Sequence, residues 1–104
     1  MSIKALLTRI IAKLDKPFIE RAYSLSNQSS TTWYKNFAIN VGVTGYTPIG
    51  LCMLQYGQAN KTTYWRYFSG DTLNLGIANG TASGTISALN INVKVIYIRS
   101  DLLS

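Results

Sequence analysis

The chain has 104 residues, of which 47% are apolar and 13% charged, and a formal net charge of +6. That length fits one domain with a modest core, and a charged share about half the usual ~25% leaves Ser, Thr, Asn and Gly to cover the surface. No histidine and only four carboxylates supply no general acid–base pair, nucleophile relay or metal cage, so the composition argues for a binding or structural module and against an enzyme, a metal site or a cofactor.

The positive charge is unevenly spread. Lys4, Arg9, Lys13, Lys16 and Arg21 crowd the first segment, whereas Lys35, Lys61, Arg66, Lys94 and Arg99 are scattered over the remainder. A dispersed excess serves solubility more than recognition, which disfavours nucleic acid as a partner. Residues 1–16 read as an N-terminal helix, because Ile3, Leu6, Leu7, Ile10, Ile11 and Leu14 recur at helical spacing behind Ser2, a good N-cap, and Pro17 stops the pattern. Such a short helix is marginal alone and must dock on its own domain, on sister chains or on a membrane surface. Ile3, Leu7, Ile10 and Leu14 fit a heptad seam with Ile at d and Leu at a, which favours three or four strands and makes these residues the candidate oligomerisation element of a homotrimer. No signal peptide and no membrane span is expected, since charges interrupt the only early apolar stripe.

Residues 17–104 read as an antiparallel β-sandwich, jelly-roll-like, with a period of two through most of it. Phe18 to Leu25 forms a first strand with Ile19, Tyr23 and Leu25 on one side, and Ser24 to Thr32 follows as a polar loop. Trp33, Phe37, Ile39, Val41 and Val43 then alternate with Tyr34, Asn36, Ala38, Asn40 and Gly42. Ile49 to Tyr56 reads as a strand buried on both faces, which predicts that Cys52, the single cysteine, is buried and inert. Gly57 to Thr63 is a loop, Tyr64 to Ser69 a strand, Ser69 to Thr72 a tight turn, and Leu73, Leu75 and Ile77 mark the next strand. After a loop from Asn79 to Gly84, Leu89, Ile91, Val93, Val95 and Tyr97 define the inner face of the closing segment.

The candidate recognition residues are Tyr64, Trp65 and Tyr67 with nearby Tyr56 and Asn60. Aromatic faces stack on sugar rings or bases, and neighbouring amides supply orienting hydrogen bonds. Strict alternation would point Trp65 and Tyr67 one way and Tyr64, Arg66 and Phe68 the other, placing one set in the core; Trp33 and Tyr34 pose the same question. The loops Gly57–Thr63 and Asn79–Gly84 are the candidate ligand-carrying segments at one end of the sandwich.

Gly45-Tyr46-Thr47-Pro48-Ile49-Gly50-Leu51, then Ser69-Gly70-Asp71-Thr72-Leu73-Asn74-Leu75, then Asn90 to Ile98 with its alternating valines and Tyr97-Ile98, resemble the C-terminal domains of tail-fibre and other minor structural proteins of phages and prophages of gut bacteria. The resemblance covers about two-thirds of the chain. It implies a virion-associated sandwich, made in the bacterial cytoplasm, whose partners are its own copies, other virion proteins and host cell-surface glycans; it implies no catalytic residue. The competing expectation is a small basic β-barrel that binds single-stranded nucleic acid, with Trp33, Trp65 and Tyr67 as stacking platforms and Lys35 and Arg66 on phosphates.

Overall fold

The computed structural model describes residues 2–14 and 16–103, for residues 10–14 the backbone alone. Helix α1 spans Ile3–Leu14. Ser2 caps it as expected, its Oγ accepting the Ala5 N–H at 3.0 Å while its carbonyl accepts that of Leu6 at 3.1 Å. Six strands follow: β1 (Phe18–Ser30), β2 (Tyr34–Asn40), β3 (Tyr46–Tyr56), β4 (Lys61–Ser69), β5 (Thr72–Asn79) and β6 (Ile86–Arg99).

The strands form two antiparallel three-stranded sheets, β1-β6-β3 and β2-β5-β4. Because β1 pairs with β6 and β2 with β5, the chain winds as a folded-over ribbon, the path of a jelly roll with six strands in place of eight. The period-two pattern of β6 decides the core. Leu89, Ile91, Val93, Val95 and Tyr97 are all buried and face Phe37, Leu73, Leu75 and Ile77 of the other sheet. Near Tyr97 the core holds polar groups that satisfy one another: the Tyr97 and Tyr23 hydroxyls lie 2.5 Å apart, and the Val41 carbonyl accepts from Tyr97 at 2.5 Å and from Tyr23 at 3.1 Å. Burial, with the neighbouring Tyr23 phenol second, pushes the Tyr97 phenol well above its ordinary value.

Two expectations are corrected. Ser24–Thr32 is not a loop over most of its length: β1 continues to Ser30, its Ser24, Leu25, Gln28 and Ser30 pairing with Asn92, Ile91, Leu89 and Ile86. The long apolar β6 recruits this polar segment as a ladder partner, and a bulge with Asn27 at φ +57° absorbs the mismatch, the Asn27 N–H donating to Asn90 Oδ1 at 2.9 Å. Nor is β3 buried on both faces. It is an edge strand whose register shifts between Pro48 and Gly50 and again between Leu51 and Met53, so Ile49 and Cys52 leave the ladder and stand exposed. The apolar run therefore reflects one buried face plus two bulged residues, and Cys52 is not the buried thiol its neighbours suggested.

The two ends of the sandwich differ. Of the four connections that cross between sheets, β1–β2, β3–β4 and β5–β6 gather at one end, where the Asn79 N–H donates to the Trp33 carbonyl at 2.8 Å and the Gly80 N–H to the Asn60 carbonyl at 2.9 Å. Helix α1 enters β1 at the other. The chain is 66 Å long and at most 20 Å across, with a radius of gyration of 18.4 Å against the ~13 Å of a compact chain this size. A 14-residue strand accounts for about 46 Å, so α1 extends the long axis and does not pack on either sheet. Its described side chains from Ser2 to Arg9 are exposed, Ile3 and Leu7 among them; the side chains of Ile10 and Leu14, the rest of the seam, lie outside the described residues. No described helix is long and apolar enough to cross a membrane.

Candidate functional site

The outer face of the β2-β5-β4 sheet can be read from its register. Leu73, Leu75 and Ile77 of β5 point inward, so their opposite numbers Ile39, Phe37 and Lys35 on β2 and Phe68, Arg66 and Thr63 on β4 do too. The residues left to the outer face are Tyr34, Asn36, Ala38 and Asn40, then Thr72, Asn74, Gly76 and Ala78, then Thr62, Trp65, Tyr67 and Ser69. None carries a charge.

A bulge in β4 adds one more ring to this face. The register passes from Thr63 opposite Ile77 directly to Trp65 opposite Gly76, which makes Tyr64 the extra residue and frees it from alternation. Tyr64 and Trp65 consequently share a side, stacked at 5.9 Å and 22°, where strict alternation would have separated them. Gly76 makes room for both: a Cβ there would overlap Trp65 Cδ1 and stand 2.5 Å from Tyr64 Cζ. Tyr64 reaches across β5 from β4 to β2, its hydroxyl donating to Asn36 Oδ1. Partial burial, with the nearby Tyr34 phenol second, raises the Tyr64 phenol from its ordinary value.

The rings continue on both sides. Trp65 meets Tyr67 edge-on at 5.7 Å, Tyr64 meets Tyr34 at 6.3 Å, and Tyr34 meets Trp33 at 5.0 Å. Five aromatic side chains therefore touch in series across the sheet, each between 38% and 49% exposed. Such edge-to-face and stacked contacts contribute about 0.5–1.5 kcal/mol each and hold the rings in place without burying their faces. Of the candidate residues, Tyr64, Trp65 and Tyr67 are thus brought together. Tyr56 is not on this face: it points inward from β3 opposite Ile91 and packs against the core. Burial raises its phenol, and the charge of Arg66 acts in the opposite direction. Asn60 lies in the connecting loop with φ +60°, its carbonyl bonded to Gly80, and it contributes nothing to the ring series. Trp33 and Tyr34 complete the row, and the sequence signal for the arrangement was Gly76, a glycine in a strand interior beside an aromatic-rich strand.

Arg66 occupies the open side of the sandwich, where β3 and β4 face each other across sheets without hydrogen bonding. It is the common wall of two clefts. One, of about 380 Å³, is lined by Leu54, Thr63, Tyr64, Trp65 and Arg66; the other, of about 250 Å³, includes Tyr67 and Phe68. Thr63 Oγ1 is buried there without a hydrogen-bond partner. No group of three or more metal-ligating side chains occurs among the described residues. Comparison with protein-family models, with curated proteins and with solved structures returned no match.

Proposed function

We propose that this protein is a virion-associated structural and adhesion module of a phage, joined to sister chains through α1 and meeting host-surface glycans with the aromatic face of β2-β5-β4. The observation that carries the reading is the placement of two unpartnered surfaces. A helix that exposes Ile3, Leu6 and Leu7 projects at one end, and the ring series lies on the sheet toward the other, where Trp33 and Tyr34 open β2 and Tyr64 and Trp65 stand near the start of β4. The two surfaces lie apart along the 66 Å long axis, an arrangement that supports separate attachment and recognition. Chemistry supports sugar as the ligand: flat exposed rings bordered by Asn36, Asn74 and Thr62, with no charge, suit the apolar faces and hydroxyls of a polysaccharide. The exposed Ile3 and Leu7 support self-association, because a free twelve-residue helix is marginal until its apolar stripe is covered.

Single-stranded nucleic acid would also stack on these rings, but it needs cations beside them. Lys35 turns inward and donates to the Ser29 carbonyl at 2.9 Å, and Arg66, one guanidinium in the cleft beside Tyr64 and Trp65, does not make the run of cations that a phosphate backbone would follow. Two experiments test the proposal. Light scattering on a sizing column should give a trimeric mass, and a monomer at tens of micromolar overturns the helix assignment. Retention on immobilised bacterial polysaccharide should persist at high salt and disappear in a Trp65→Ala, Tyr67→Ala variant of unchanged mass. Salt-sensitive retention on single-stranded DNA, with none on polysaccharide, replaces this reading by the nucleic-acid one.

A further inference from the structure

We propose that Arg66 reads an anionic substituent on the glycan, so that the ligand is a polysaccharide carrying carboxylate or phosphate groups and not a neutral one. This rests on the glycan reading above and specifies its substrate class. The argument begins with what Arg66 lacks. Among the described residues its guanidinium has no carboxylate partner: Asp101 is engaged by Arg99 at 2.6 Å, Glu20 lies on the outer face of the other sheet opposite Ile96, and Asp71 sits in the β4–β5 turn, its carbonyl bonded to the Val41 N–H. An inward-pointing cation on an edge strand can serve only to block edge-to-edge pairing. Lys35 fits that role on the opposite side, with its ammonium bonded to the Ser29 carbonyl and 5.6 Å from the centre of the Phe37 ring. Arg66 differs because nothing across the gap receives its fork of donors.

Its position then supplies the function. Tyr64 and Trp65 line the same cleft as Arg66, and Tyr67 lines the adjoining one, so a sugar stacked on these rings presents its ring substituents to the cleft. Leu54, Leu51 and Phe68 line the two clefts together with Arg66, and the Tyr56 phenol lies close enough to feel its charge. A planar guanidinium binds the paired oxygens of a carboxylate or phosphate through two parallel, charge-assisted hydrogen bonds, a geometry that a lone hydroxyl does not offer. The neutral ring face and the one cation divide the work: stacking fixes the chain, and Arg66 selects the sugar.

The test uses an array of bacterial polysaccharides printed as matched pairs, uronate polymers with their carboxyl-reduced forms and polysaccharides bearing pendant phosphomonoester groups with their dephosphorylated forms. The unaltered protein should prefer the anionic member of at least one class of pair by about ten-fold or more, the factor expected of hydrogen bonds to a charged group. Arg66→Gln should bind both members of that pair alike, at the affinity the unaltered protein has for the neutral member. Arg66→Lys should retain only part of the preference, since it keeps the charge and loses the fork. Which class of pair responds separates carboxylate from phosphate. Equal binding to both members by the unaltered protein, or a preference that survives Arg66→Gln, overturns the proposal while the ring face stands, provided Trp65→Ala, Tyr67→Ala still abolishes binding. Binding that ignores the ring substitutions, or binding to no member, overturns the glycan reading and this inference with it. A merely structural Arg66 would shift melting and leave the preference intact.

Discussion

The two outer faces of this sandwich are built by the same device and come out differently. Each sheet has an edge strand with bulges, β3 in one and β4 in the other. In β3 the bulges expel Ile49 and Cys52 one at a time onto a face where Glu20 and Lys94 bring charge and Phe18, Ile96 and Ile98 bring aliphatic and aromatic bulk. In β4 the single bulge sets Tyr64 beside Trp65 above Gly76, on a face with no charge. What a bulge achieves depends on the neighbouring strand. Beside side chains it only exposes a residue, whereas beside a glycine it lets two rings lie down on the sheet.

Gly76→Ala should break the difference most directly. The added methyl meets both rings, and relief requires moving Tyr64 and Trp65 off the sheet or displacing β5, at about 1–3 kcal/mol. The paired control is Gly50→Ala on the other sheet, where the added Cβ finds Ile96 Cγ2 at an ordinary 3.8 Å and the loss of unfolded-state freedom makes the change neutral or stabilising by up to ~1 kcal/mol. Urea titration measures both, and near-ultraviolet circular dichroism should lose its stacked-ring signal only in the Gly76 variant. Equal destabilisation of the two would show that the rings do not depend on the glycine.

Tyr97→Phe tests whether stability can be lost without touching either outer face. It removes a buried hydroxyl that serves Val41 and Tyr23, at about 1 kcal/mol, and glycan binding should be unchanged. The same residue predicts alkaline behaviour. Its phenol in the fold ionises well above the 10.0 of an unperturbed tyrosine, so the folded state holds a proton that the unfolded chain gives up. The Tyr97 contribution is therefore fully present below pH 10 and is lost as the pH rises above it. Stability measured against pH should fall less steeply above pH 10 in the Phe variant.

Tyr64→Phe removes the bond to Asn36 but keeps the ring, and because the group is exposed the cost should be near 0.5 kcal/mol. Retained binding would show that stacking outweighs the hydroxyl in positioning this ring. The residue also marks the limit of what could be read from the chain. Periodicity sufficed for β6 from Leu89 to Tyr97 and for Phe37 and Ile39 of β2, whose inward positions are apolar, and Ser2 and Pro17 bounded the helix. It failed at Tyr64, Ile49 and Cys52 because an extra residue in an edge strand changes which side every flanking residue faces, and the signal for it lies in the partner strand. It failed at Ser24–Ser30 because hydrogen bonding to β6, and not apolar content, makes that segment a strand. The ring face was half legible: the residue types were evident, but their common side was not.

Cys52 reports on the other face at the smallest energetic cost. As a bulged residue on an edge strand it is exposed, and it makes a weak Sγ donation to the Lys94 carbonyl at 3.6 Å. Cys52→Ser should therefore alter stability by less than 0.5 kcal/mol, and a thiol reagent should modify the native protein without prior unfolding. The label then serves as a local probe of the β1-β6-β3 face. Saturating glycan should quench tryptophan emission from Trp33 and Trp65 while leaving the Cys52 labelling rate unchanged, because the two faces are separated by the full thickness of the core. A labelling rate that falls with glycan would mean that the ligand, or the assembly it promotes, covers both faces, and the assignment of recognition to the aromatic side alone would fail. A rate that falls with protein concentration and not with glycan would instead place Cys52 in the contact between sister chains.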